Sequence, residues 1–154
     1  MNSFYQEAHK ILKPNGTLAI FAYQHLHILE SPKASQLLED FSTKTMAPWW
    51  DERRPRLDRL YSDPDYTTHH PFAELKRTVY EPHESMLRKD WSLGQIRNYL
   101  STWSPYKKYL ETAPANQQDP IDSLMKNIQR ELDSNNQDLV VPVAWRFVLI
   151  LARK

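Results

Sequence analysis

Three groupings of side chains in this sequence could do chemistry. The densest is Trp49-Trp50-Asp51-Glu52-Arg53-Arg54-Pro55-Arg56-Leu57, which sets two indole rings beside three guanidinium groups. Guanidinium binds a carboxylate through paired, charge-assisted hydrogen bonds, and indole rings often line apolar pockets. The same residues equally describe a segment packed by tryptophan with solvated arginines, so both readings stay open. The second grouping is Tyr23, at the end of the apolar run Thr17-Leu18-Ala19-Ile20-Phe21-Ala22-Tyr23. Open α/β sheets place ligands at the carboxyl ends of their strands. A strand-end ring with a wet hydroxyl is the alternative. The third is histidine, as His25-x-His27 and His69-His70. His25 and His27 share a strand face if the strand continues, and His69-His70 falls in a loop. A metal centre needs a third ligand and an ordered shell around it, and no spacing here supplies one. No metal is expected. No nucleophile turn accompanies the histidines, so a Ser-His-Asp arrangement has no support.

Composition narrows the choices. There is no cysteine, which excludes disulfides, thiolate nucleophiles and cysteine-ligated zinc. Glycine occurs only at Gly16 and Gly94, which excludes a glycine-rich phosphate or dinucleotide loop. With 154 residues, 40% hydrophobic and 25% charged, the chain has the length and balance of one globular domain with a real core. Its 20 basic and 19 acidic residues leave a net charge of +1, which gives no electrostatic case for nucleic acid or an acidic membrane. The start, MNSFYQEAHK, has no apolar stretch of a signal peptide. The longest apolar stretch, Leu139 to Ala152, is too short to span a bilayer and contains Pro142 and Arg146. The expectation is a cytoplasmic protein with no membrane or nucleic-acid partner.

The elements that would position these residues follow from periodicity. Phe4, Ala8, Ile11 and Leu12 share a helical face, with Ser3 and Gln6 as a capping box. Pro14-Asn15-Gly16 stops that helix and turns the chain. The run from Thr17 to Tyr23 reads as a strand buried on both faces, as in a parallel sheet. Ala34 to Met46 reads as a helix with Leu37, Leu38 and Phe41 inward, and Tyr61 to Phe72 reads as loop. Leu75 to Tyr80 has strand character that could resume to Met86 or Leu87 beyond Pro82. Ser92 and Gln95 form a capping box for a helix with Leu93, Ile96, Leu100 and Trp103 on one face, closed by Pro105. Ala113 to Gln118 is a polar loop. Asp119-Pro120 opens a third helix with the stripe Ile121, Leu124, Met125, Ile128 and Leu132. Val143 to Ala152 reads as a central strand, with Pro142 at its start.

Three of these features together carry a resemblance. Ile11-Leu12-Lys13-Pro14-Asn15-Gly16-Thr17-Leu18 is similar to the "R-x-L-K-P-G-G-x-L" turn before the fifth strand of class I S-adenosylmethionine-dependent methyltransferases. Asn15 stands where glycine is usual, and asparagine tolerates the left-handed backbone conformation. Tyr99-Leu100-Ser101-Thr102-Trp103-Ser104 resembles the trans-aconitate methyltransferase-like branch, which includes fungal small-molecule methyltransferases. Phe147 to Lys154 looks like the antiparallel seventh strand that ends the fold.

The resemblance implies an α/β fold. It is the C-terminal portion of a Rossmann-like sheet, with strands 17–23, 75–80 and 143–152 in the order fifth, seventh, sixth and the last strand antiparallel. It implies that residues 1–154 form one partial domain, the C-terminal half of a truncated form, without the N-terminal half that holds S-adenosylmethionine. No cofactor-binding residue is visible in the sequence, so binding of S-adenosylmethionine by this chain alone is not expected. The segment between the fifth and sixth strands of the family helps build the acceptor pocket. That implies Tyr23, Trp49, Trp50, Arg53 and Arg56 as substrate-binding residues for a small-molecule acceptor, with a carboxylate suited to the arginines. The catalytic residue is not identified. The competing expectation is a non-catalytic methyltransferase-like fragment that pairs with a second chain along the exposed edge of its sheet.

Overall fold

In the computed structural model, which describes residues 2–114 and 117–154, a mixed α/β architecture forms around one antiparallel sheet. Its centre is the last strand, β4 (Val140–Arg153). One edge of β4 pairs with β1 (Thr17–Ile28), from Thr17 opposite Arg153 to Ile28 opposite Val143. The other edge pairs with β2 (Glu74–Tyr80) and then β3 (Arg88–Ser92). The closing strand therefore lies between the other two and antiparallel to both, in the expected order. The second partner is split. A 3-10 turn at Pro82–Glu84 interrupts pairing, and the chain rejoins β4 at Arg88. Pro142 lies inside β4 and not at its start. It has no N–H to give, but its carbonyl accepts from the Leu29 N–H at 2.9 Å, so the strand runs through it.

Helix α1 (Asn2–Ile11) packs on this sheet by a face rotated from the one its sequence suggests: Ala8 and Leu12 of the expected stripe pack inward, and Tyr5 takes the place of Phe4 and Ile11. Tyr5 and Ala8 are buried, whereas Phe4 is 48% and Ile11 84% exposed. Tyr5 can go inward because its hydroxyl donates to the Tyr66 carbonyl at 3.0 Å and its ring meets Phe72 edge-on. A buried phenol needs such a partner. Here it comes from a segment far along the chain. Ser3 lies within the helix and is not its cap. The turn after α1 forms as expected, with Asn15 at φ 64. The Lys154 ammonium donates to the carbonyls of His9 and Leu12, so the end of the chain closes the end of its first helix.

β1 changes character along its length. From Thr17 to Tyr23 it alternates: Leu18, Ile20 and Ala22 are half-buried, while Ala19, Phe21 and Tyr23 are exposed. This overturns the reading of a strand buried on both faces. Its pairing is antiparallel, and antiparallel sheets can leave one face to solvent. A register shift follows Tyr23, after which Leu26 and Ile28 enter the main core with Leu38, Met46, Leu93, Ile96 and Ile121.

The helices that complete this core have legible ends. α2 (Pro32–Asp40) is capped by the Ser31 hydroxyl, which accepts from the Ala34 N–H at 3.1 Å. It continues as a π-helical turn, Phe41–Thr45, to Met46. α3 (Arg54–Asp58) is a single short turn of helix. α4 (Leu93–Ser101) has the expected capping box: Ser92 Oγ accepts from the Gln95 N–H, and Gln95 Oε1 from the Ser92 N–H. Pro105 does not close that helix. It sits in the first turn of α5 (Ser104–Thr112), where a missing N–H costs nothing. α6 (Pro120–Glu131) opens on Asp119, whose carboxylate accepts from the Ile121 N–H at 2.8 Å. The expected loop from 113 to 118 is described except for residues 115 and 116, which lie outside the described residues. Among the described residues, no helix is long and apolar enough to cross a membrane.

Candidate functional site

Two cavities of about 390 Å³ each open beside the register shift in β1 and share a wall made by Tyr23 and Tyr99. The ring-lined wall of the first cavity is assembled from four elements. β1 supplies Tyr23, β3 supplies Trp91, α4 supplies Tyr99 and β4 supplies Trp145. The Trp145 ring lies edge-on to Tyr23 (6.3 Å between centroids), Trp91 (5.1 Å) and Tyr99 (5.6 Å). Its indole N–H donates to the Tyr99 hydroxyl oxygen at 3.1 Å. Burial raises the Tyr99 phenol above its ordinary value, against hydrogen bonding from Trp145 and Trp103. Tyr99 therefore keeps its proton at neutral pH and can donate it. The first cavity lies on the β3 side and is completed by Met86, Leu87, Arg88 and Lys89.

The second cavity lies on the α3 side. The Arg54 guanidinium stacks 4.0 Å from the centre of the Trp50 ring and donates to Asp58 at 2.7 Å. The Trp50 indole N–H donates to the Ser42 carbonyl, and its ring meets Trp103 at 5.6 Å. Beside them is His25, buried, with its ring 4.9 Å from that of His27. The His25 pKa is pushed down to about 4, first by burial, then by the charges of His27, Arg54 and Arg146. His27 is lowered too, chiefly by burial. Both imidazoles are neutral at pH 7. The 3.9 Å approach of the Glu39 carboxylate to His25 is too long for a hydrogen bond and leaves that ring uncharged. No Asp or Glu lines either cavity.

The residues singled out in the sequence divide. Tyr23 is on the shared wall and Trp50 is on the second cavity. Trp49 packs edge-on to Tyr109 and donates to the Thr112 hydroxyl, joining its own turn to α5. Arg53 and Arg56 are exposed and line neither cavity. The first turn of α3 aims Arg54 inward and leaves those two outside. His25 and His27 do share a face, and His69 and His70 lie elsewhere, beside Thr68 and Phe72. Among the described residues, no three His, Asp or Glu side chains gather as a metal site would require. Sequence reasoning missed Trp91, Trp145, Arg88 and Lys89 altogether. It placed Tyr99 in a helix-end signature but gave it no role. The available signal was its position one step off the Leu93-Ile96-Leu100 stripe, where an amphipathic ring reaches a boundary.

The methyl donor that the family resemblance implies needs free backbone N–H groups in a glycine turn. The two glycines do not provide them. The Gly16 N–H donates to the Lys13 carbonyl and the Gly94 N–H to the Gln137 carbonyl, each at 2.9 Å. A Cβ at Gly16 would stand 2.8 Å from the Lys13 oxygen, so this glycine serves its own turn. The described residues thus do not fit an adenosyl cofactor.

Comparison with known proteins places the chain among similar folds. No family model matches it. It is 24% identical over 156 aligned positions to a Dictyostelium discoideum protein named as a "putative methyltransferase", covering 98% of this chain and 54% of that protein. Its fold matches a solved structure from Anaeromyxobacter dehalogenans, titled as a "putative type II methyltransferase", with a TM-score of 0.70 at 16% identity. That match covers 97% of this chain and 57% of the other. The chain thus bears a methyltransferase relationship that spans about half the length of the proteins it matches.

Proposed function

We propose that this chain forms the acceptor side of an S-adenosylmethionine-dependent methyltransferase of the trans-aconitate methyltransferase-like branch. In that reading residues 1–154 are one partial domain, and the acceptor is a small molecule bearing a carboxylate. The observation that carries it is the aromatic cleft at Tyr23, whose walls hold Arg54, Arg88 and Lys89 and no acid. A methyl acceptor must be held in one orientation and shielded from water. An apolar cavity of this size with a few polar groups is suited to both tasks. The residues that would perform them are Tyr23, Tyr99 and Trp50, with the cations supplying charge. The division of labour is the other part of the reading: the donor is held outside this chain.

Calorimetry tests both parts. Small carboxylic acids should bind the purified chain without any cofactor, and S-adenosylmethionine should give no heat. Failure of every acid to bind would sink the acceptor reading. One-to-one binding of S-adenosylmethionine would sink the division of labour.

A second reading is favoured by the exposed apolar surface on β1 and β4. Phe21 is 65% and Leu151 39% exposed, on one side of the sheet. In that reading the chain is a non-catalytic fragment that docks a second chain there. Binding of acids in the cleft separates the two, because a docking fragment has no need of an acceptor.

A further inference from the structure

The two cavities are not equivalent as anion sites. In the second, Arg54 is committed: it is stacked on Trp50 and hydrogen-bonded to Asp58. In the first, Arg88 and Lys89 open β3, both exposed, and among the described residues neither forms an ion pair; Lys89 lies on the face of the sheet that carries Trp91 and Trp145, whereas Arg88, opposite Ala144, lies on the other. Four aromatic rings line the first cavity, and Trp145 meets the other three edge-on. Edge-on packing leaves ring faces and edges available to a planar guest, the geometry aromatic pairs prefer. An enclosure of rings can also hold a quaternary ammonium by cation–π attraction. Charge decides between the two guests. A cation beside the rings, with no carboxylate among the lining residues, repels an ammonium and attracts an acid. The Tyr99 hydroxyl adds direction. It accepts from Trp145, so its own hydrogen is free to point at an oxygen of the guest.

We propose that the cavity bounded by Tyr23, Trp91, Tyr99 and Trp145 takes an aromatic carboxylate, with its ring among these side chains and its acid group at Lys89. The proposal rests on reading the cleft as the acceptor pocket and names the acceptor's chemical class. It also moves anion recognition from the arginines before and within α3 to the lysine near the start of β3.

Calorimetric titration of the full chain with four probes tests it: indole-3-acetate, benzoate, trans-aconitate and benzyltrimethylammonium. The aromatic acids should bind at least about tenfold tighter than trans-aconitate, a difference calorimetry resolves easily, and the ammonium should not bind. The double variant Arg88→Ala/Lys89→Ala should weaken indole-3-acetate by about tenfold or more, as expected for loss of charge-assisted contacts. Both residues are exposed, so circular dichroism should be unchanged. Lys107→Ala, on the outer side of α5, should bind as the parent does. Tighter binding of trans-aconitate would overturn the aromatic class while leaving a carboxylate acceptor standing. Binding of the ammonium, or full affinity in the double variant, would overturn the proposal outright. If none of the three acids binds, the acceptor reading falls with it.

Discussion

His25 shows how the fold sets the chemistry of a single side chain. Its sequence neighbourhood gives it an ordinary imidazole, and burial beside His27 and Arg54 pushes its pKa down to about 4. Between that value and the ordinary 6.5, the unfolded chain takes up a proton that the folded chain refuses. Stability is therefore fully present above the ordinary value, falls as the pH drops through this window, and levels off below it. The loss attributable to this ring is about 3 kcal/mol. Urea unfolding of the parent and His25→Gln at about pH 7 and about pH 4.5 checks the sign: the parent should lose markedly more stability on acidification. An equal loss in both would assign the effect to other groups. Tyr99 offers a second test. Tyr99→Phe strands the Trp145 N–H in a mostly apolar wall and should cost about 1–2 kcal/mol by chemical denaturation. The ring walls would survive, so the cavity should persist. Neither the imidazole's neutrality nor the phenol's partner was legible in the sequence. Each depends on residues brought from other elements: for His25 the packing that buries it, with smaller contributions from Arg54 and Arg146, and for Tyr99 the Trp145 indole.

Element ends were the most readable part of the chain. Ser92, Gln95, Asp119, Pro120 and Asn15 act through neighbours two to four positions away, so their geometry is written locally. Ser92→Ala removes one arm of the capping box of α4 and should cost about 1 kcal/mol, read as a lower urea midpoint. Asn15 holds φ 64 in the turn before β1. Asn15→Gly should be near neutral, whereas Asn15→Val should cost about 1–2 kcal/mol, because a branched Cβ clashes in the left-handed region. Equal midpoints for the two variants would show that the turn relaxes. Element faces were less readable. Four of the five expected members of the α6 stripe, Ile121, Leu124, Met125 and Ile128, are buried as their spacing implies, and Leu132, just past the helix, is half-buried. On α1 the spacing chose Phe4 and Ile11, and packing chose Tyr5. A phenol counts as polar until its hydroxyl is satisfied, and the group that satisfies it is the Tyr66 carbonyl. Pro105 failed as a stop signal for a similar reason. The same residue that cannot continue one helix is well suited to start the next.

At the scale of the molecule, one side of the sheet carries Ala19 and Phe21 on β1 beside Leu151 on β4, all exposed. A contiguous apolar surface of this kind on an outer strand favours association. Sedimentation velocity should show the parent self-associating with rising concentration, and Phe21→Ser/Leu151→Ser remaining monomeric with a similar unfolding midpoint. A parent that stays monomeric throughout would remove the case for a docking face. By itself the sequence determined the order of α1, β1, α2, β2, α4, α6 and β4, though not α3, β3 or α5, together with the turn at Asn15, the caps of α4 and α6 and most of the apolar stripes that feed the core. It also carried a resemblance to methyltransferases, and singled out Tyr23 and Trp50, which line the cavities, alongside Trp49, Arg53 and Arg56, which do not. These rest on local periodicity, on backbone conformations that few residues tolerate, and on a chain-order signature. Only the tertiary structure decided which rings meet, which arginine turns inward and which face of β1 is left open. Those outcomes depend on β4, which pairs β1 on one edge and β2 and β3 on the other, and so joins Tyr23 to Trp91 and Tyr99 through Trp145. No local pattern encodes a contact among four elements; the packing of the whole sheet does.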